Sequence, residues 1–480
     1  MKLRDYQLKA IRMLREALAA GFRKIILKLA TGAGKTVIVS QICRQAVEKG
    51  KRVCFVVDQI TLVDQASATL DKMGIDHGVI QAQHPRHDLS LPVQVASIQT
   101  YVRRLAWEAD LFIVDEAHVV YKGLLEMMDK FQVPFIGVTA TPYTKGLGLH
   151  YETLVSPIEI GELIELGHLV DARVFGPSKP DMRGVTMVGD DYNQKQGAKK
   201  ANTKKLVADI VNTWLRLANR RPTICFAWDI VHSKHIVERF VDAGVNAVHI
   251  DCYMDDDEVR EIIDRFKRGE IEVLSSVGKL IKGFDAPNAE VGILARSTKS
   301  LALHHQMVGR ILRPCEGKRE ALILDHAGNF ERLGFHTDEV PNVLCKKQKG
   351  ERQEKRKVSL PKPCPKCAFM RPPKVNICPE CGYEAKKQNK VHESSGDLKE
   401  IKKPKVDKSE KQRWFSCLLE YARARNYNDG WVAHKYREKF GVWPRGMVKV
   451  RTKIDPDVMD FIVSANIRYR NSYRGVHRDT

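Results

Sequence analysis

Ile25-Ile26-Leu27-Lys28-Leu29-Ala30-Thr31-Gly32-Ala33-Gly34-Lys35-Thr36 is a short apolar run that breaks into two glycines and ends on a lysine and a threonine. The run reads as a buried strand, and the apolar spacing after it (Val37, Ile38, Ile42, Ala46) is helical, so the glycines fall at a helix N-terminus. Free backbone N–H groups there can surround phosphates. On this reading Thr31, Gly32, Ala33 and Gly34 form a cradle, Lys35 neutralises β/γ-phosphate charge, and the Thr36 hydroxyl ligates Mg²⁺. A second apolar run, Leu111-Phe112-Ile113-Val114, lifts Asp115-Glu116 to the C-terminal edge of a strand. There Asp115 can join the Mg²⁺ shell and Glu116 can orient and deprotonate an attacking water. Glycine turns before helices are common, the strict loop pattern has a glycine where this chain has Leu29, and acidic pairs after strands are often just solvated. Both motifs in this order, each after a strand, predict a nucleotide triphosphatase site.

Asp115-Glu116-Ala117-His118 is also the signature of the superfamily 2 helicases and translocases, and the other motifs of that series occur in order. Leu3-Arg4-Asp5-Tyr6-Gln7 resembles the adenine-reading segment, with Gln7 able to bond a base edge through its amide. Ser97-Ile98-Gln99-Thr100 resembles a strand-tracking motif. Thr139-Ala140-Thr141-Pro142 resembles the segment that couples hydrolysis to nucleic acid, which implies coupling roles for His118, Thr139 and Thr141. Gly283-Phe284-Asp285-Ala286-Pro287 and Gln306-Met307-Val308-Gly309-Arg310-Ile311-Leu312-Arg313 resemble the last two motifs. The resemblance covers residues 1 to about 330 and implies an α/β fold of two tandem RecA-like parallel-sheet domains. It further implies that Arg310 and Arg313 reach the triphosphate as arginine fingers from the domain opposite Lys35 and Glu116. Tyr6, Gln7, Gly283, Asp285 and Gln306 then contact the nucleotide, Asp285 through the ribose. Within the superfamily the chain resembles the RadD-type group of bacterial and phage DNA-repair ATPases, on the Leu3-to-Gln7 opening, Gly283-to-Pro287, Leu324-Asp325-His326-Ala327-Gly328-Asn329 and a downstream cysteine module. It departs from that group at Lys282, where Thr is frequent, and in its last seventy residues.

Strand-like runs alternate with amphipathic stretches on both sides of a polar interval, which divides the chain into an ATP-binding domain (1–165), a linker (166–205) and a second RecA-like domain (206–335). A hinge is expected near the linker. Residues 341–480 hold 34 Lys and Arg against 16 Asp and Glu, and so carry +18 of the formal +21. A basic tail beside a nearly neutral motor points to nucleic acid as partner, through phosphate attraction. A solubilising surface, or a docking face for a protein partner, is the alternative reading of the same charge. Lys122, Arg103 and Lys279 read as solvated charges. No apolar run reaches the roughly 18 to 20 residues that a membrane span needs, and charges at Asp5, Lys9 and Arg12 interrupt the opening. A cytoplasmic protein of bacterial or phage origin is expected.

Cys364-Pro365-Lys366-Cys367 and Cys378-Pro379-Glu380-Cys381, ten residues apart, predict a Zn²⁺ site with four thiolate ligands in a small ribbon (362–385). Disulfides are disfavoured in a cytosolic ATPase, and a redox centre would want one such pair in a βαβ setting. Cys54 and Cys225, on strand-like runs, read as small core residues. Basic linkers (336–361 and 386–408) flank the ribbon and are expected to separate it from the motor. A mainly helical basic module follows (409–480), in which Trp414, Phe415 and Leu418 are expected in a core while Trp431 and Trp443 stay open between core and base stacking.

Three functions compete on these residues: an ATP-dependent DNA translocase or helicase in repair, recombination or replication restart; an RNA helicase; and a zinc-ribbon DNA-binding accessory protein with a weak ATPase switch. DNA is favoured over RNA by the RadD-type resemblance.

Overall fold

Val53–Val57, Val93–Ser97 and Phe135–Thr139 are buried at every position, as strands covered by helices on both faces must be. The computed structural model describes residues 3–57, 60–104, 107–278, 286–338, 340, 342–346, 360–384, 407–463 and 465. Gly283, Asp285 and Lys279 lie outside the described residues. The chain divides into two units, Met1–Lys387 and Gln388–Thr480.

The first unit holds two parallel sheets. In the first, β1 (Lys24–Lys28), β2 (Val53–Val57), β3 (Gly78–Ile80), β4 (Val93–Ser97), β5 (Leu111–Asp115), β6 (Phe135–Thr139) and β7 (Thr153–Val155) take the order β3-β4-β2-β5-β6-β1-β7. Helices α1 (Asp5–Ala19), α2 (Lys35–Val47) and α3 (Ile60–Lys72) pack beside it. The second sheet contains β8 (Ala172–Phe175), β11 (Thr223–Phe226), β12 (Ala247–Ile250), β13 (Val273–Ser276), β14 (Val291–Leu294) and β15 (Ala321–Asp325), in the order β12-β13-β11-β14-β15-β8. A two-strand hairpin of β9 (Met187–Val188) and β10 (Asp191–Tyr192) stands apart from it. The two-sheet α/β architecture is the one the motifs imply. Cys54 and Cys225 are fully buried, and burial pushes the Cys225 thiol up to about 12, as small core residues require.

The interval expected as a linker is partly structured. β8 lies inside it and pairs with β15, and the Gln194–Ala201 helix follows the hairpin. The strand is four residues long and only its last two are buried, so no apolar run marks it; its place comes from the unpaired edge that β15 presents.

The stretch expected as a basic linker after residue 335 also returns to the motor. His336 is buried, Leu344 joins the core around β5, and the Cys345 carbonyl accepts from the Gly148 N–H at 2.9 Å. Asn342 accepts from the buried ammonium of Lys28 at 2.9 Å, beside Glu159 at 2.8 Å. A lysine at the end of a covered parallel strand is costly to bury. These two partners satisfy it.

The cysteine ribbon is not separated from the motor either. Phe369 bridges antiparallel to Phe175 at the end of β8, their rings lie 5.5 Å apart, and the Gly176 N–H donates to the Ala368 carbonyl at 2.9 Å. Met370 is buried in the main core, and Arg173 pairs with Glu380 of the second cysteine turn. The ribbon thus covers the free edge of β8, a place where two short segments gain hydrogen bonds and apolar burial together.

In the second unit, Lys408–Ala424 and Asp429–Phe440 pack on a further helical stretch over residues 456–463 around Trp414, Phe415, Leu418, Tyr436, Val458 and Ile462. The three residues expected in a core are there. Trp431 is half-buried against Tyr421 and Tyr427, whereas Trp443 is 42% exposed with the Arg437 guanidinium 4.7 Å over its ring. No helix among the described residues is long and apolar enough to cross a membrane.

Candidate active site between the two sheets

Helix α2 starts where β1 stops, and Gly34 at its N-cap has φ 75°, a left-handed conformation that a side chain strains. A Cβ there would also stand 2.6 Å from the Gln7 amide nitrogen. Gln7 and Tyr6 are both buried: the Gln7 oxygen accepts from the Arg4 N–H at 3.0 Å, and the Tyr6 hydroxyl donates to the Ala33 carbonyl at 3.0 Å. The opening motif therefore braces the phosphate loop from behind.

Asp115 ends β5 and Glu116 follows at φ 46°, an uncommon backbone conformation for a residue with a side chain and one found preferentially at functional sites. The Glu116 carboxylate lies 3.6 Å from the Lys35 ammonium and 3.2 Å from His118 Nδ1. His118 Nδ1 also stands 3.0 Å from the Thr139 hydroxyl, which in turn accepts from the Thr141 N–H at 3.0 Å. A continuous polar path thus runs from the candidate base to the candidate coupling segment. His118, Thr139 and Thr141 are all buried, so this path has few water-made alternatives.

The second sheet supplies the opposite wall. The helix Leu301–Ile311 carries Gln306 and Arg310, with Arg313 just past its end. Gly309 is pressed against the phosphate loop: a Cβ there would meet the Thr31 side chain at 2.9 Å. The connection between the sheets passes through the same place, with Leu169 against Gly32 and the Val170 N–H donating to the Leu312 carbonyl at 2.9 Å. Between the walls is a cavity of about 500 Å³, lined on one side by Thr31, Gly32, Gly34, Lys35, Thr36, Asp115 and Glu116 and on the other by Gln306, Arg310 and Arg313. Three cations and two carboxylates line it, with Arg310 and Arg313 opposite Lys35, Asp115 and Glu116, a balance suited to a triphosphate with a divalent cation.

Tyr6, Gln7 and Ala33 do not line this cavity. Phe55, Leu62, Gln65, Ala66, Thr69, Pro287 and Pro314 do, and sequence reading assigned none of them. Leu62, Ala66 and Thr69 share one face of α3, a spacing visible in the sequence; that α3 runs past the phosphate loop is not.

The four ribbon cysteines converge, their sulfurs all within 4.8 Å of one another, with Cys364–Cys381 and Cys367–Cys378 at 3.7 Å. Zn–S bonds of about 2.3 Å in a tetrahedron set sulfurs about 3.8 Å apart. Disulfide sulfurs would stand about 2.05 Å apart. The two turns repeat one hydrogen-bond pattern: Ala368 and Gly382 N–H donate to the Cys364 and Cys378 carbonyls at 2.9 Å, while the Cys364 and Cys378 N–H donate to the Phe369 and Tyr383 carbonyls at 2.8 Å. The donor set and its geometry fit zinc.

Residues 1–144 match the family of the type III restriction enzyme res subunit, and residues 204–315 match the helicase conserved C-terminal domain. A 51.5 kDa protein of a Lactococcus phage is 29% identical over 387 residues, 78% of this chain and 82% of that protein. IRC3 of Saccharomyces cerevisiae, whose name carries the words ATP-dependent helicase, is 32% identical over 355 residues, 68% of this chain but only 51% of the yeast protein. Among solved structures, the ATP-dependent Type ISP restriction-modification enzyme LlaBIII bound to DNA superposes with a TM-score of 0.52 at 20% identity, covering 68% of this chain and 28% of that one.

Proposed function

The chain belongs to the superfamily 2 helicases, and from that premise we propose that it is a nucleic-acid-dependent ATPase that moves along DNA. The observation that carries the reading is the cavity whose two walls come from different sheets, each contributing motif residues. Lys35 and the N–H groups at the start of α2 hold the triphosphate. Thr36 and Asp115 would hold Mg²⁺, whose chemistry is to neutralise phosphate charge. Glu116 takes the proton of the attacking water, and Arg310 with Arg313 meets the charge that develops on the γ-phosphoryl group. A triphosphate held by both walls favours their approach, and its loss releases them. Two nucleic-acid grips on the two sheets then change separation once per turnover.

DNA is the favoured track because the structural neighbour LlaBIII described above is bound to DNA, and because the RadD-type resemblance points to repair or recombination. ATP turnover is expected to rise severalfold or more with single-stranded or forked DNA. Stimulation by RNA alone would make it an RNA helicase, through contacts to the 2′-OH. Turnover that no nucleic acid stimulates would leave a DNA-binding accessory protein with a weak ATPase. The basic second unit, with exposed Trp443, is the candidate additional grip on phosphates and bases.

The ribbon is proposed to hold one structural Zn²⁺ on Cys364, Cys367, Cys378 and Cys381. Purified protein should contain one zinc per chain, and Cys364→Ser with Cys378→Ser should release it. Because Phe369 and Met370 cover the edge of β8, that release should also lower the thermal midpoint of the ATPase unit, by several degrees for a loss of about 1 to 2 kcal/mol. Protein that purifies with four reactive thiols and no metal would remove zinc from this account.

A further inference from the structure

Lys318 is seven residues beyond the end of the arginine-bearing helix and is 7% exposed. Its ammonium donates to three backbone carbonyls: Ala289 at 2.6 Å, Ile311 at 2.5 Å and Arg313 at 2.8 Å. Those three bonds use all three of its N–H donors. Ile311 and Arg313 offer carbonyls at the C-terminal end of the Leu301–Ile311 helix, where intrahelical partners run out and the helix dipole is negative. Ala289 ends the short loop that follows Ala286 and Pro287 and leads into β14. A buried cation therefore joins the two segments of the second sheet that reach the cavity, one through Pro287 and the other through Arg310 and Arg313.

We propose that Lys318 is a positioning residue for the arginine pair: its ammonium holds the end of the helix against the Ala289 loop and so fixes where the Arg313 guanidinium stands in the cavity. The proposal rests on the ATPase reading above and adds to it a residue that does not line the cavity. Arginine fingers act on the transition state, and a displacement near 1 Å of a catalytic group lowers rates by about 10²-fold. Three donors on three carbonyls restrain the backbone of the finger itself, because Arg313 is one of the residues held.

The arrangement also makes the restraint sensitive to pH. Burial is the largest influence on Lys318 and pulls its pKa down to about 8; Glu290 and Cys315 oppose this and Arg313 and Arg221 add to it. Below that pH the ammonium is complete; above it one donor is lost and the dipole of the helix end goes unmatched. Two buried histidines elsewhere in this unit do not titrate there, since burial holds His305, on the arginine-bearing helix, near 3 and His336 near 4.

The experiment is DNA-stimulated ATP hydrolysis by the full chain, with ATP-analogue binding and thermal unfolding measured beside it. Lys318→Met should lower kcat by roughly 10- to 100-fold while changing analogue affinity less than about threefold. Lys318→Arg, which keeps its charge at all accessible pH, should recover part of the loss and remove the fall above pH 8. The unsubstituted protein should itself lose kcat as pH rises from 7 to 9.5, with its fold and analogue affinity unchanged. A folded Lys318→Met protein that hydrolyses at the parent rate would overturn the proposal. Should that variant fail to fold, a parent kcat that stays flat between pH 7 and 9.5 overturns it equally. If the parent shows no stimulated hydrolysis at all, the ATPase reading is what fails, and this inference goes with it.

Discussion

Glu116→Gln is expected to leave ATP bound and to slow its hydrolysis by about 10²- to 10⁴-fold, the loss typical of a missing general base. Glutamine keeps the size of the side chain and one oxygen able to face Lys35 and His118, which stand 3.6 Å and 3.2 Å from the carboxylate. What it cannot do is accept a proton. Affinity should hold or rise, because removing a carboxylate from the cavity leaves Lys35 free to serve the phosphates alone. Lys35→Ala is the contrasting variant: it removes a cation that meets the phosphates in ground and transition states alike, so binding should weaken and kcat/KM should fall with it. Analogue binding and steady-state hydrolysis distinguish the two patterns. A Glu116→Gln protein with the parent rate would give the proton to another group.

Arg310→Ala and Arg313→Ala should each lower kcat by about 10³-fold or more while changing ATP affinity only severalfold, since guanidinium groups arriving from the second sheet act on charge that develops during transfer. The geometry favours this split. Both arginines line the cavity opposite Lys35, and the aliphatic stem of Arg313 lies within 3.6 Å of where a Cβ of Gly32 would be. Equal losses of kcat and affinity would make them ground-state ligands instead. Unequal losses in the two arginines would tell which one faces the γ-phosphoryl group.

Much of the site was legible because its chemistry is local in sequence. A strand, a glycine turn and a helix N-terminus make a candidate phosphate cradle within a dozen residues, and β5 with Asp115 and Glu116 needs only its own apolar run to be recognised. The paired Cys-x-x-Cys turns are readable for the same reason, each turn aiming its two sulfurs at one point. The family motifs added the second wall: Gln306, Arg310 and Arg313 stand at the cavity as the resemblance implies, and Gly309 shows why that position is small, with Thr31 where its side chain would be.

Contacts made at a distance were not legible. β8, with two buried residues of four, is a strand because β15 has an edge to pair. The ribbon sits on the motor because Phe369 and Met370 find that edge, although basic residues on either side read as spacers. Asn342 and Leu344 return to the first sheet to satisfy Lys28 and fill its core. Lys318 reads as one more charge in a basic chain until three carbonyls from two segments converge on it. By itself the sequence picked out the glycine loop, the acidic pair, the arginines and the cysteines as candidate sites, since hydrogen-bond donors, charge and backbone conformation there are set within a few residues. Tertiary structure alone decided which segments share an edge, which lysines are buried and what holds the arginine wall in place, because burial and the partners it demands are set by how segments pack: Lys28 finds Asn342 314 positions on, and even Lys318 needs a carbonyl from a separate loop, Ala289.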